Sequence, residues 1–180
     1  MKTIIGVRVL ELYLGGARSG KSRLAEQRAC DSDRELIYIA TATAGDAEMA
    51  ARIAHHRQQR AGCGWHTVEA PEQLCQAIAE HAAENRCILV DCLTLWLSNW
   101  LIKDDEQQWQ GVRAGFLQCI QRNPGQVILV SNEVGQGVVP TGALTRRFVD
   151  EAGRLHQDIA AVADRVVFVT AGLEQVLKGK

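Results

Sequence analysis

Short runs of aliphatic and β-branched residues recur along the chain at Val9–Leu14, Leu36–Ala40, Cys87–Val90, Val127–Val130 and Val166–Thr170. Their near-continuous apolar character is that of strands buried on both faces. Between them, Lys21–Ala29, Ala47–Gln59, Glu72–Ala83, Leu93–Ile102, Glu106–Arg122 and Leu144–Val162 carry apolar residues at helical spacing. Strands alternating with helices predict a parallel sheet covered on both faces, because parallel neighbours need long crossovers. No repeat, low-complexity stretch or Ser/Pro-rich linker divides the 180 residues, so one domain over residues 1–180 is expected. Residues 1–8 are expected to be an inessential N-terminal extension, and Lys103–Gln108 reads as a polar surface break.

Directly after the first apolar run stands Gly15-Gly16-Ala17-Arg18-Ser19-Gly20-Lys21-Ser22, followed by the helical run Arg23-Leu24-Ala25-Glu26. This satisfies G-x-x-x-x-G-K-[ST] in its proper strand-to-helix context. The glycines let the backbone turn its N–H groups inward, and the helix start adds its positive dipole end. Lys21 is placed to reach the β- and γ-phosphates of a nucleoside triphosphate, and the Ser22 hydroxyl to join the shell of a bridging Mg²⁺. The fold class this implies is α/β: a three-layer P-loop NTPase domain, RecA-like, with a mostly parallel sheet.

Such a site needs a carboxylate at the end of a neighbouring strand, and Cys87-Ile88-Leu89-Val90-Asp91 supplies one. Asp91 therefore reads as a Mg²⁺ ligand, direct or through water, or as the cap of the following helix, or as both. A GTPase switch protein is excluded by the lack of an N-K-x-D element; the corresponding stretch is Ser131-Asn132-Glu133-Val134-Gly135. The D-x-x-G match at Asp150–Gly153 falls within a helical pattern and is accidental.

Composition narrows the classes further. The chain is 47% apolar and 23% charged, which fits a globular domain, and no apolar stretch approaches the ~18 residues of a membrane span. A net charge of -1 excludes the cationic footprint of a general nucleic-acid binder, so any anion must be held locally. The six cysteines form no C-x-x-C and read as reduced thiols; Cys63 and His66 have ligand spacing but no second pair. Arg8 and Glu11 interrupt the opening apolar run and no cleavage site follows, so a cytoplasmic protein is expected.

The segment from Asp46 to Arg60 reads as a helix capped by Asp46, with Arg52, His56 and Arg60 stacked at i, i+4 spacing. His55 lies about 100° further around. The pattern is either a solvated basic face or a neutral imidazole set between guanidinium groups that would hold a phosphate and depress its pKa, as a phosphorus nucleophile requires.

The whole set of motifs resembles one family. The P-loop, Tyr38-Ile39-Ala40-Thr41-Ala42, Glu48-Met49 with Arg52-Ile53 and His56-Arg57-x-x-Arg60, Trp65-His66-Thr67-Val68-Glu69, Val130-Ser131-Asn132-Glu133-Val134-Gly135 and Arg147-Phe148-x-Asp150-x-Ala152-Gly153-Arg154-Leu155 are similar to the bifunctional adenosylcobinamide kinase/adenosylcobinamide-phosphate guanylyltransferases of cobalamin biosynthesis. The resemblance runs from about residue 9 to 178. It implies two reactions: ATP or GTP phosphorylates the aminopropanol hydroxyl of adenosylcobinamide, and GTP then guanylylates a histidine that passes GMP to adenosylcobinamide phosphate.

The resemblance places the nucleophile on His56 and makes His55 a neighbour. It carries nucleotide contacts onto Gly15, Gly16, Ala17, Arg18, Ser19, Gly20, Lys21 and Ser22, onto Ala40, Thr41 and Ala42, onto Arg57, Gln58, Gln59 and Arg60, and onto Glu69 and Asp91. It implies a homotrimer. The alternative expected from the P-loop alone is a kinase of another small alcohol, without a covalent step; a third is a nucleotide-binding regulatory module. This chain differs from the family pattern by a longer stretch at Ala61-Gly62-Cys63-Gly64 and by His156 where Asn is common. Trp96 and Trp100, with Leu93, Leu97 and Leu101, form an apolar helical face that reads as core or subunit contact before it reads as a corrinoid surface.

Overall fold

All five expected strands form, and two more join them at the sheet edges. The structure, a computed structural model, describes residues 8–42 and 64–179. The helix expected over Ala47–Gln59 lies outside these. In chain order the elements are β1 (Val9–Gly15), α1 (Lys21–Cys30), β2 (Glu35–Ala40), β3 (His66–Glu69), α2 (Leu74–His81), β4 (Arg86–Asp91), α3 (Leu93–Leu101), α4 (Glu106–Arg122), β5 (Gln126–Asn132), α5 (Ala143–Val162), β6 (Arg165–Thr170) and β7 (Leu173–Lys178). The sheet order is β3-β2-β4-β5-β1-β6-β7. Every pairing is parallel except β6 with β7, which follow each other through a tight turn.

The sheet has a core on each face, as strands buried on both sides require. On one face α1 packs Ala25 and Ala29 against Tyr13, Tyr38, Leu89, Ile128 and Val167. On the other, α2 to α5 cover Leu12, Ile39, Val90 and Leu129 with a larger apolar cluster. Trp96 belongs to that cluster, its ring centroid 5.5 Å from Trp109 and 4.9 Å from Phe116. Trp100 is buried there too, with the Lys103 ammonium 4.1 Å from its ring. The apolar face of α3 is core.

A fully buried charge fixes β1 from behind. The Glu11 carboxylate accepts from Arg28 Nε of α1 at 3.1 Å and from Gln126 Nε2 of β5 at 2.9 Å, with Arg165 Nε of β6 at 3.9 Å. A carboxylate buried at this depth is stable only with such partners. The three elements around β1 are thereby tied to one point, which makes the strand a firm base for the loop that follows. Arg8 is also attached to the fold, lying 3.6 Å from Asp164. The five described cysteines, Cys30, Cys75, Cys87, Cys92 and Cys119, are free thiols.

Chain direction defines where a ligand can sit. From β1 the chain crosses by α1 toward β2 on one side, and it later returns over β1, from β5 through α5 to β6, on the opposite face. In an open parallel sheet the crevice beyond the carboxyl ends at such a reversal is the binding position. Gly15 stands level with Asn132 and Val169 there, Asp91 with Ala40 and Val130, and Ala40 with Glu69. The Asp150–Gly153 match lies inside α5, as its helical pattern requires.

Candidate phosphate-transfer site

Two of the loop glycines are dictated by geometry. A Cβ on Gly15 would stand 2.5 Å from the Val169 carbonyl oxygen, and Gly20 has φ 95° with the Gly172 Cα 3.2 Å from where its Cβ would be. The first glycine lets β1 pass close to β6, and the second adopts a left-handed conformation that side chains resist. The loop is further braced by the Ser19 N–H on the Gly16 carbonyl and the Gly172 N–H on the Ser19 carbonyl.

What this loop offers is a set of donors. Gly20 is the N-cap of α1 and brings no side-chain cap, and the first turn holds no acidic residue. The helix start therefore keeps its unsatisfied N–H groups and its positive dipole end for an anion. Ser19 Oγ is buried in the loop and makes no hydrogen bond. Lys21 Nζ donates to the Gly16 carbonyl at 3.1 Å, folded over the loop. Burial pushes the Lys21 pKa down, and the Asp91 carboxylate pulls it back up. A buried ammonium facing one carboxylate is a site that gains from an incoming phosphate.

Asp91 ends β4 and is half-buried, with Tyr38 Oη donating to its Oδ2 at 3.1 Å. The N-cap of α3 is Cys92, and it caps through no side chain. The capping reading of Asp91 is thus not what the structure displays. Among the described residues no three His, Cys, Asp or Glu side chains converge. A Mg²⁺ ion would then draw on Ser22, half-buried in the first turn of α1, and on Asp91, with phosphate and water completing its shell, as this ion prefers.

The remaining expected contacts spread along the sheet edge. Ala40 and Glu69 are paired in register at the ends of β2 and β3. Thr41 is fully buried, and its hydroxyl donates to the Cys92 carbonyl at 2.7 Å and accepts from the Cys92 N–H at 2.9 Å. Its side chain joins the ends of β2 and β4, and its backbone is engaged as well, the N–H on the Asp91 carbonyl at 3.4 Å and the carbonyl accepting from Asn99 Nδ2 at 3.1 Å. Ala42 closes the described segment. Arg18, at φ 57°, lies exposed on the crest of the loop. His56, Arg57, Gln58, Gln59 and Arg60 lie outside the described residues, as do Arg52 and His55.

One pair at this edge was not singled out from the sequence for a role. Glu133 follows β5, and its backbone N–H donates to the Gly15 carbonyl at 3.0 Å. His156, buried on α5, stands behind it. Burial lowers the His156 pKa against the opposing pull of Glu133, so the ring is neutral at physiological pH. The sequence signal was the position of Glu133 in the run after β5, beside the P-loop strand.

Fold and loop together define the class: a P-loop nucleoside triphosphate domain. Two solved structures share that architecture at low identity. The flagellar accessory protein FlaH of Methanocaldococcus jannaschii matches with a TM-score of 0.53 and 13% identity, over 96% of this chain and 79% of its own. An ATPase from the type III secretion system of pathogenic bacteria matches at 0.53 and 10% identity, over 93% and 56%. Within that class the chain belongs to the cobinamide kinase / cobinamide phosphate guanyltransferase family, whose model matches residues 11–177. It is a transferase. The bifunctional adenosylcobalamin biosynthesis protein CobP of Pseudomonas aeruginosa is 55% identical over 170 residues, 94% of this chain and 98% of its own length. The protein of the same description, CobU, from Escherichia coli is 41% identical, over 93% and 98%. Family membership selects the two-step transferase over a kinase of another alcohol and over a regulatory module.

Proposed function

We propose that this chain, working in the cytoplasm, phosphorylates the aminopropanol hydroxyl of adenosylcobinamide with ATP or GTP, then moves GMP from GTP through His56 to adenosylcobinamide phosphate, forming adenosylcobinamide-GDP. The observation that carries this is the complete P-loop between β1 and α1, with Asp91 at the end of β4, in a chain of this family. The loop N–H groups and Lys21 bind and orient the triphosphate, and offset the charge that builds on the β-phosphate as the γ-phosphoryl group leaves. Ser22 and Asp91 would hold a Mg²⁺, which would supply charge neutralisation at the triphosphate.

For the second reaction a histidine carrier makes chemical sense. A phosphoramidate conserves the transfer potential of GTP until the acceptor phosphate arrives, and it divides one displacement between two anions into two easier ones. Arg52 and Arg60, one turn on either side of His56 in the expected helix, would hold the α-phosphate and keep the imidazole unprotonated. The test is product analysis by mass spectrometry. Adenosylcobinamide and GTP should yield adenosylcobinamide phosphate and then adenosylcobinamide-GDP; phosphorylation of the corrinoid without guanylylation would remove the second activity.

Asp91→Asn separates metal from scaffold. Because Asp91 caps no helix, the variant should keep its melting temperature within a few degrees, while the Mg²⁺ concentration for half-maximal kinase rate rises about tenfold or more. A variant that melts early with an unchanged Mg²⁺ response would return Asp91 to a structural role. A homotrimer is also proposed, supported by apolar side chains at two edges: Leu173, Val176 and Leu177 on β7, and Val138 and Val139 after β5, all exposed. Light scattering on the purified protein should give three times the chain mass, and a monomer would remove this reading.

A further inference from the structure

Behind the P-loop, three side chains form a relay that ends on a carboxylate. Ser131 is fully buried in β5, and its Oγ lies 2.7 Å from His156 Nε2. The other ring nitrogen, Nδ1, is buried, makes no hydrogen bond and faces Glu133 Oε2 at 3.7 Å. Glu133 Oε1 accepts from the Gly135 N–H at 2.6 Å. With the Ser131 hydroxyl donating to Nε2, the imidazole carries its proton on Nδ1 and presents it to the carboxylate. The Glu133 side chain is 21% exposed, so the relay opens to solvent at that end only.

The position of this carboxylate requires a reason. It hangs from a backbone bonded to Gly15, at the edge of an anion pocket, and a negative charge there weakens phosphate binding. Among the described residues its ion-pair partner is His156 alone, a neutral ring. A carboxylate aimed from behind, with no Lys or Arg paired to it among the described residues, is suited to take a proton.

We propose that Glu133 accepts the proton of the acceptor hydroxyl in the kinase step, and that His156, backed by Ser131, is the positioning residue that aims it. This rests on the kinase reading given above. The hydroxyl O–H bond breaks and its proton passes to a Glu133 carboxylate oxygen. The electron pair left on the hydroxyl oxygen forms the bond to the γ-phosphorus. The bond from that phosphorus to the β,γ-bridging oxygen breaks, and the nucleoside diphosphate leaves with its electrons. Glu133 later returns the proton to water. In the guanylyl transfer the acceptor is a phosphate oxyanion with no proton to remove, so Glu133 has no such duty there.

The test compares the two reactions in the full-length protein, supplying adenosylcobinamide for one and preformed adenosylcobinamide phosphate for the other. Glu133→Gln still accepts from Gly135 but no longer takes a proton. It should lower kcat for phosphorylation about 100-fold, with KM for GTP within about twofold and guanylylation within about threefold. His156→Ala should lower the same kcat roughly tenfold through misaim, and His156→Asn, which keeps an N–H toward the carboxylate, should recover most of it. Phosphorylation by Glu133→Gln within threefold of the parent would overturn the proposal. So would equal loss of both reactions, which marks a distorted P-loop, or rescue by excess Mg²⁺, which marks a metal ligand. If the parent protein itself phosphorylates no adenosylcobinamide, the kinase reading has failed and not the assignment of Glu133.

Discussion

Lys21→Ala is expected to remove nearly all triphosphate chemistry, lowering kcat/KM for adenosylcobinamide phosphorylation by about 10³-fold, or about 4 kcal/mol of transition-state stabilisation. Lys21 is buried at the first position of α1, and its ammonium donates to the Gly16 carbonyl. A triphosphate offers it a better partner, and the gain grows as charge shifts onto the leaving phosphate. Arg18 cannot take over, because it projects into solvent from the crest of the loop. Alanine suits a helix start, so α1 should persist and the melting temperature should stay close to that of the parent. Single-turnover kinetics with γ-labelled GTP checks this, and near-normal phosphorylation would refute the P-loop assignment.

The second large effect separates two neighbouring histidines. His56→Ala should lose protein labelling by α-labelled GTP and guanylyl transfer together, each by at least about 10³-fold, because the carrier of the covalent step is gone. Its adenosylcobinamide kinase activity should remain measurable, since transfer of the γ-phosphoryl group to a hydroxyl needs no covalent histidine. His55→Ala should still be labelled, at a reduced rate, because His55 is about 100° around the expected helix from the Arg52–Arg60 stripe. Label that persists in His56→Ala and vanishes in His55→Ala would shift the register of that helix by one; label in both would exclude the covalent route.

How much of this could be read beforehand follows from burial. Strands β1, β2, β4, β5 and β6 lie inside the sheet, are covered on both faces and carry near-continuous apolar runs, that of β1 interrupted by Glu11, so they stand out in the sequence. β3 and β7 are the sheet edges. His66-Thr67-Val68-Glu69 buries only Val68, and that partly, while Leu173–Lys178 is exposed throughout, so neither shows an apolar run to find. Glu106–Arg122 forms over the range its helical spacing predicts, and the structure adds its cap, Asp105, which accepts from the Gln108 N–H.

The site divides in the same way. Gly15, Gly20 and Lys21 are bound to fixed spacings by loop geometry, and the sequence displays those spacings directly. Asp91 is visible as a carboxylate at a strand end, but its cap role is decided only by the fold, in which Cys92 is the N-cap of α3. Thr41 was expected among nucleotide contacts, and only the fold brings it against Cys92, 51 residues away, where its hydroxyl is already engaged. The pairing of His156 with Ser131 spans 25 residues and two elements, and no local pattern announces it.

The central claim is that this chain carries out two transfers, the second through a covalent histidine. Parallel incubations of the native protein with α-labelled GTP, and with γ-labelled GTP plus adenosylcobinamide, test it most directly when one half of each is denatured at once and the other half is chased with adenosylcobinamide phosphate before denaturation. The account predicts acid-labile, base-stable label on the protein from the α-position only, which the chase moves quantitatively onto the corrinoid, while γ-label appears on adenosylcobinamide and never on the protein. Absence of retained α-label, or retained label that the chase does not move, would contradict it.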